Sequence, residues 1–195
     1  KGGGMERATP PPRPAPTAAK PAPQLAPASR QSGKRGVPGV ASIIAVASGK
    51  GGVGKSTTAL NLALGLQTHG LKVGVLDADI YGPSMPTLLG LDDLDVQLHD
   101  NMLQVMYVHG VKAMTIGKLV DPEKPLIWRG PMAHGAFKQL AEETDWGELD
   151  YLIVDLPPGT GDVPLTMSQM LSVTGAVVVC TPQKVAQDDA VRAVR

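Results

Sequence analysis

The run Gly49–Thr57 (G-K-G-G-V-G-K-S-T) constrains this chain more than any other stretch. Over Gly49–Ser56 it fits G-x-x-x-x-G-K-[ST], a loop whose glycines accept positive φ and let the backbone approach a ligand closely. Successive N–H groups of such a loop surround the β- and γ-phosphates of a nucleotide, at the positive end of the helix that follows. The loop therefore needs a strand before it and a helix after it. Both are legible. Ser42–Ala47 is a short apolar, β-branched run, and Thr58–Thr68 places Leu60, Ala63, Leu64 and Gln67 at helical spacing, with Gly70 as the stop. In that setting Gly49, Lys50, Gly51, Gly52, Val53, Gly54, Lys55, Ser56 and Thr57 line a phosphate site. Lys55 reaches the β/γ oxygens and Ser56 ligates Mg²⁺.

The rest of the body alternates in the same way. Lys72–Leu76 reads as a second strand ending at Asp77. Met102–Val108 and Val111–Ile116 flank His109-Gly110 as a hairpin. Gly135–Glu143 reads as a helix, Tyr151–Val154 as a third core strand ending at Asp155, Gly175–Cys180 as a fourth strand, and Val185 onward as a helix. Strands that are apolar on both faces and alternate with helices predict an α/β fold, a mainly parallel sheet with helices on both sides. Ligands of such sheets sit beyond the carboxyl ends of the strands. The phosphate loop, Asp77 and Asp155 all fall at such ends.

A carboxylate that ends an apolar strand beside a phosphate loop is a usual holder of Mg²⁺, often through water. Asp77 and Asp79 follow the second strand (V-L-D-A-D-I-Y-G-P-S) and Asp155 follows the third (Y-L-I-V-D-L-P-P-G-T-G-D). Alternate residues of an extended segment point apart, so one of Asp77 and Asp79 is expected nearest the metal. The metal set read here is Ser56, Asp77 and Asp155.

Lys50 is a second lysine inside the loop, giving K-G-G-V-G-K-[ST]. With it the sequence resembles the deviant Walker A ATPases, P-loop NTPases of the MinD/ParA superfamily. The resemblance implies that Lys50 reaches the nucleotide of a partner subunit and that ATP binding is coupled to homodimer formation. It also implies that Asp79 positions the attacking water, that Asp77 lies near Mg²⁺, and that Asp155 is the Walker B carboxylate. Gly159 and Gly161 then bracket a γ-phosphate-sensing loop, with Asp162 relaying its movement. The catalytic set implied is Lys50, Lys55 and Asp79, acting by positioning and charge neutralisation in phosphoryl transfer to water.

Four further segments, Asp77–Ser84 (D-A-D-I-Y-G-P-S), Trp128–Met132 (W-R-G-P-M), Asp155–Asp162 (D-L-P-P-G-T-G-D) and Thr181-Pro182-Gln183, make the body from about residue 40 to 195 resemble the Mrp/ApbC-type iron–sulfur carriers. That subgroup implies slow ATP hydrolysis and delivery of a [4Fe–4S] cluster to apo-protein clients. Its cluster ligands are a C-x-x-C pair. This chain departs there, because Cys180 is its one cysteine. Cys180 reads as a buried structural residue. The cluster ligands and part of the adenine pocket are expected beyond Arg195, so the chain reads as a piece of a longer protein, incomplete at the C-terminus.

The formal net charge of zero averages two unlike parts. Residues 1–40 hold seven Lys/Arg against one Glu and nine of the eighteen prolines; residues 41–195 are net acidic and hold all six aromatics. Residues 1–40 read as a disordered basic Pro/Ala-rich linker, lacking the large apolar groups that offset ordering entropy, and 41–195 as the ATPase domain. The acidic body opposes a nucleic-acid partner. No apolar run approaches the ~20 residues that span a bilayer. The prolines leave no apolar core for a signal peptide and oppose the amphipathic helix of a transit peptide, so a cytoplasmic place is expected. His69, His99, His109 and His134 are too scattered for a metal site and read as surface or turn residues. The alternatives are a MinD/ParA-type spatial-organising ATPase acting on membrane or DNA, and an assembly factor that binds ATP without turnover. Arg129 fits a phosphate contact, a subunit contact or a helix entry equally.

Overall fold

The computed structural model describes residues 36–80, 82–91, 93–118, 130–159 and 170–194. Residues 1–35 of the expected disordered linker, Tyr81, Trp128 and Arg129, and the stretch holding Gly161, Asp162 and Met167 lie outside the described residues. The strands are β1 (Val40–Ala47), β2 (Val73–Asp77), β3 (Leu98–His99), β4 (Met102–Gln104), β5 (Met106–Val108), β6 (Val111–Thr115), β7 (Thr144–Asp145), β8 (Leu149–Asp155) and β9 (Gly175–Val178). The helices are α1 (Lys55–Thr68), α2 (Met85–Leu89), α3 (Gly130–Glu142) and α4 (Lys184–Val194).

Six strands form one sheet in the order β5-β6-β2-β8-β1-β9, and every pairing in it is parallel except the β5–β6 hairpin. The α/β architecture expected from the sequence is thus present. The parallel centre is the most hydrophobic part: all of β2 is buried, and Ile43, Ala45, Val46, Val75, Leu76, Leu152, Ile153 and Val154 are each at most 3% exposed. Full burial of a Leu, Ile or Val contributes ~1.5–3 kcal/mol, against about 0–1 kcal/mol for an exposed ion pair such as Lys72–Glu148. Stability therefore resides in this layer.

The hairpin predicted around His109-Gly110 is shorter than its sequence pattern. His109 and Gly110 take φ of 50° and 83°, and Val108 pairs with Val111, as a two-residue turn with positive φ at both positions requires. Met102–Gln104 leaves this sheet and joins a second one, ordered β3-β4-β7. Its β3–β4 turn is Asp100-Asn101, with φ of 49° and 62°. That pair is the same type of turn signal, and reading Met102–Val108 as one arm hid it.

The packed body begins before position 41, since Val37 is buried in the core. Gly39 (φ 78°) accepts the N–H of Leu149 at 3.0 Å and lies so close to Gly147 that an added Cβ would stand 2.0 Å from its carbonyl oxygen. At the opposite edge β9 pairs with β1, and it ends at Val178. Cys180, two residues further, is exposed. This corrects the expectation of a buried structural cysteine. An apolar run signals a strand but not its place in the sheet, and at an edge the residues beyond the last paired one emerge into solvent.

Two glycine substitutions separate backbone strain from steric contact. Gly70 has φ 80° with open space where a Cβ would go, so Gly70→Ala should cost about 1–2 kcal/mol, the left-handed penalty alone. Gly39→Ala adds the clash with Gly147 and should cost at least twice that. Equal shifts of the two variants in urea denaturation would contradict this account.

Candidate functional site

The loop after β1 leads into a helix whose first residue is the buried Lys55. Gly54, with φ 87°, is the N-cap; no side chain caps the helix, and its first turn carries no acid. A helix start ordinarily satisfies its free N–H groups with a Ser, Thr, Asp or Asn cap and favours acids nearby. Here the positive end is left for an anion. Gly51, Gly52 and Gly54 each face open space where a Cβ would stand, which leaves the backbone accessible from the loop's outer side. Gly49 is tight for another reason: an added Cβ would lie 2.7 Å from the Cβ of Asp189 on α4. Lys50 is exposed, while its carbonyl accepts the hydroxyl of the buried Ser48 at 2.9 Å.

Lys55 is the centre of the site. Its ammonium lies 2.5 Å from Asp155 Oδ1, 3.5 Å from Asp79 Oδ2 and 3.3 Å from Ser56 Oγ. Asp155 is fully buried at the end of β8, and Asp79 is 6% exposed. Asp155 Oδ2 is buried without a hydrogen-bond partner in the protein. The structure thus brings together Lys55, Ser56, Asp79 and Asp155 from three places in the sequence. Burial, opposed chiefly by the charge of Lys55, holds the Asp155 carboxyl above the usual carboxylate range.

Asp77 has different surroundings. It sits beside Asp155 across the β2–β8 pairing, but its oxygens are turned to protein donors. Oδ1 accepts the N–H of Asp79 at 3.1 Å, and Oδ2 accepts the N–H of Met85 at 3.2 Å and the hydroxyl of Thr115 at 3.0 Å. Three of its roughly four acceptor positions are engaged. Burial, with the repulsion of Asp155 adding to it, pushes the Asp77 carboxyl up to about 6 despite these donors.

Two buried carboxylates meet one buried ammonium, and a third buried carboxylate, Asp77, neighbours Asp155; buried charge requires a partner. An unpartnered oxygen on Asp155 beside the Ser56 hydroxyl is a hard-oxygen set of the kind Mg²⁺ takes. These residues fit the ion. Asp77, engaged by donors, offers less to it.

Two residues absent from the sequence-based set belong here. Thr115 ends β6 in register with Asp77, and a polar residue closing the apolar strand V-K-A-M-T was the same signal that marked the aspartates. Ser48 links the phosphate loop to the segment after β8, because its carbonyl accepts the N–H of Gly159 at 2.8 Å. Gly159 has φ 119°. His69, His99 and His109 are exposed, and the described residues hold no group of three or more His, Cys, Asp or Glu arranged for a metal ion. A cavity of about 560 Å³ lies at the other end of the sheet, lined by Gln67, Lys72, Tyr107, Lys112 and Glu148 among others. It is remote from the loop, and its charges are already engaged: Lys72 with Glu148, and Lys112 with the Trp146 carbonyl.

Asp77 gives the site a pH signature. A native carboxyl raised from 3.8 to about 6 makes the folded state bind more protons than the unfolded one between these values. Its contribution is therefore present below about pH 4 and lost as pH rises through 6, by about 3 kcal/mol. Asp77→Asn removes that loss, so the stability of wild type relative to the variant should fall between pH 4.5 and 7.5. A pH-independent difference in urea denaturation would contradict it.

A family model described as NUBPL iron-transfer P-loop NTPase, of the ParA group, matches residues 39–195. The iron-sulfur cluster carrier protein of Haemophilus influenzae is 53% identical over 172 residues, covering 88% of this chain and 46% of the relative. The iron-sulfur cluster transfer protein NUBPL of Dictyostelium discoideum is 50% identical, covering 83% of this chain and 50% of the relative. The chain spans about half the length of these relatives. Among solved structures, a nucleotide-binding protein from Archaeoglobus fulgidus in complex with ADP superposes with a TM-score of 0.68 at 41% identity, covering 80% of this chain and 61% of that one. The septum site-determining protein MinD of Pyrococcus horikoshii, complexed with Mg-ADP, gives 0.56 at 26% identity, covering 76% and 61%. With the phosphate loop, the parallel sheet and half-identity across most of its length in common, this chain belongs to the NUBPL-type iron-transfer P-loop NTPases of the ParA group.

Proposed function

We propose that this chain is the ATP-binding and ATP-hydrolysing part of a homodimeric iron–sulfur carrier that passes [4Fe–4S] clusters to apo-protein clients. The observation that carries the nucleotide part is the buried Lys55 ammonium, held at an uncapped helix start between Asp155 and Asp79. The cargo part rests on the names of relatives about 50% identical to this chain. The MinD likeness, at 26% identity, supports the shared fold and a nucleotide site more than a membrane- or DNA-directed role.

Bound ATP sets its β/γ-phosphates against the loop N–H groups and the positive end of α1. Lys55 then exchanges carboxylate partners for phosphate oxygens. This leaves Asp155 and Ser56 to hold Mg²⁺, which supplies further charge neutralisation when bound. Asp79 accepts a hydrogen bond from the attacking water and aligns it in line with the γ-phosphate. Asp77 shapes the loop that carries Asp79. Lys50, exposed on the loop, is placed to reach a nucleotide held by a second copy. One cysteine per chain gives a dimer two thiolates, short of the four that a [4Fe–4S] cluster takes.

Asp79→Ala should leave ATP affinity within about three-fold of wild type while slowing phosphate release by about 10²-fold or more. Lys55→Ala should abolish ATP binding in calorimetry. Because it strands buried carboxylates at a cost of about 3–5 kcal/mol, its folding is checked by circular dichroism, with Lys55→Gln as the milder variant. Wild-type turnover in both Lys55→Gln and Asp79→Ala would end this mechanism. Iron–sulfur reconstitution of the 195-residue chain should yield no stoichiometric cluster. A brown protein with four irons per dimer would show the thiolate argument wrong.

A further inference from the structure

The segment that carries Asp79 is fastened at both ends by one carboxylate. Asp77 accepts the N–H of Asp79, two residues on, and that of Met85, eight residues on. These two donors bind different oxygens and give each one bond. The hydroxyl of Thr115, reaching from the neighbouring strand β6, gives Oδ2 a second donor at 3.0 Å. The orientation of that hydroxyl is fixed in turn, because its oxygen accepts the N–H of Gly117 at 3.2 Å and so directs its own hydrogen toward Asp77. Both side chains are fully buried, so water does not compete for either bond. The end of β6 touches the same segment a second time: an added Cβ on Gly117 would lie 2.8 Å from the ring of Pro83. The chain of contacts runs from Gly117 through Thr115 and Asp77 to the Asp79 backbone, and the Asp79 carboxylate stands 3.5 Å from Lys55.

We infer that Thr115 is a positioning residue for ATP hydrolysis, locking the Asp77 carboxylate so that the loop holds Asp79 at the place where water must be aligned. This rests on the ATP-hydrolysing reading above. Thr115 meets Asp77 and Gly117, whereas the phosphate contacts are assigned to the loop and Lys55. Its loss should therefore act on turnover and leave nucleotide affinity alone.

The test compares wild type, Thr115→Val, Thr115→Ala and Thr115→Ser in the full 195-residue chain, reading affinity with a fluorescent ATP analogue and turnover by phosphate release. Thr115→Val keeps shape and removes the donor. It should lower kcat by about 10- to 100-fold, the scale of a small misplacement of a catalytic group, with affinity within about three-fold. Thr115→Ser restores the hydroxyl and should recover to within about three-fold of wild type. If circular dichroism shows Thr115→Val unfolded, the contrast between Thr115→Ser and Thr115→Ala decides. Wild-type turnover in the variants lacking the hydroxyl, or a Thr115→Ser variant as slow as they are, overturns the inference. Parallel losses of affinity and turnover overturn it as well, since they show general damage to the site. A wild-type chain that binds ATP and releases no phosphate overturns the hydrolysis reading together with it, which separates that failure from failure of the Thr115 role alone.

Discussion

An ammonium buried among carboxylates is the interaction on which the rest of this structure depends. Lys55 is 6% exposed and meets Asp155 and Asp79 at 2.5 and 3.5 Å. In water such pairs contribute little, but in a buried site each charge needs its partner to remain ionised. The fold satisfies this need from three directions. The first turn of α1 supplies the lysine, the end of β8 supplies Asp155, and the segment after β2 supplies Asp79. Parallel pairing of β1, β8 and β2 brings these ends together at the carboxyl end of the central strands. Removing any of the three strands from the middle of the order would separate the charges.

The same end of the sheet concentrates what is unfavourable. Asp77 and Asp155 lie side by side on adjacent strands, both fully buried and both raised in pKa. Asp155 keeps one oxygen without a partner, and the helix start beneath them carries no capping side chain. A protein selected for stability alone would place a cap at Gly54 and apolar residues at the strand ends. Uncapped N–H groups and a partnerless carboxylate oxygen are instead what a phosphate and a divalent cation would complete. Ligand binding then contributes to stability as well as to function.

Much of this was legible in the sequence for a local reason. The phosphate loop is contiguous, its flanking strand and helix are periodic, and the aspartates follow apolar runs, so Lys55, Ser56, Asp79 and Asp155 stand out in the sequence as candidates, together with Asp77, whose carboxylate the structure turns to protein donors instead. What escaped depended on spatial neighbours. Thr115 carries the same strand-ending signal as Asp77, but a threonine in a strand is ordinary, and its meaning comes from the β2–β6 register. Cys180 followed an apolar run that reads equally well as a central strand or an edge strand. Pairing with β1 on one side makes β9 an edge and leaves the cysteine exposed. The Asp100-Asn101 turn is local, yet it was concealed because β4 and β5 are separated by one residue and serve different sheets.

Asp77 shows how one residue type at one spacing can serve two purposes. Asp77 and Asp79 both follow β2, and charge alone does not distinguish them. Hydrogen bonding does. The Asp79 carboxylate turns toward Lys55, whereas the Asp77 carboxylate turns inward to two backbone N–H groups and a hydroxyl. A buried carboxylate is a strong clamp because each bond to it is charge-assisted when ionised. Its raised pKa means the clamp is strongest above about pH 6 and relaxes as the group takes up a proton. The neutral form keeps its acceptors but loses the charge that tightens them. The carboxylate two residues before Asp79 thus fastens the segment that carries it, and the charge that does so is one the folded state bears at a thermodynamic cost.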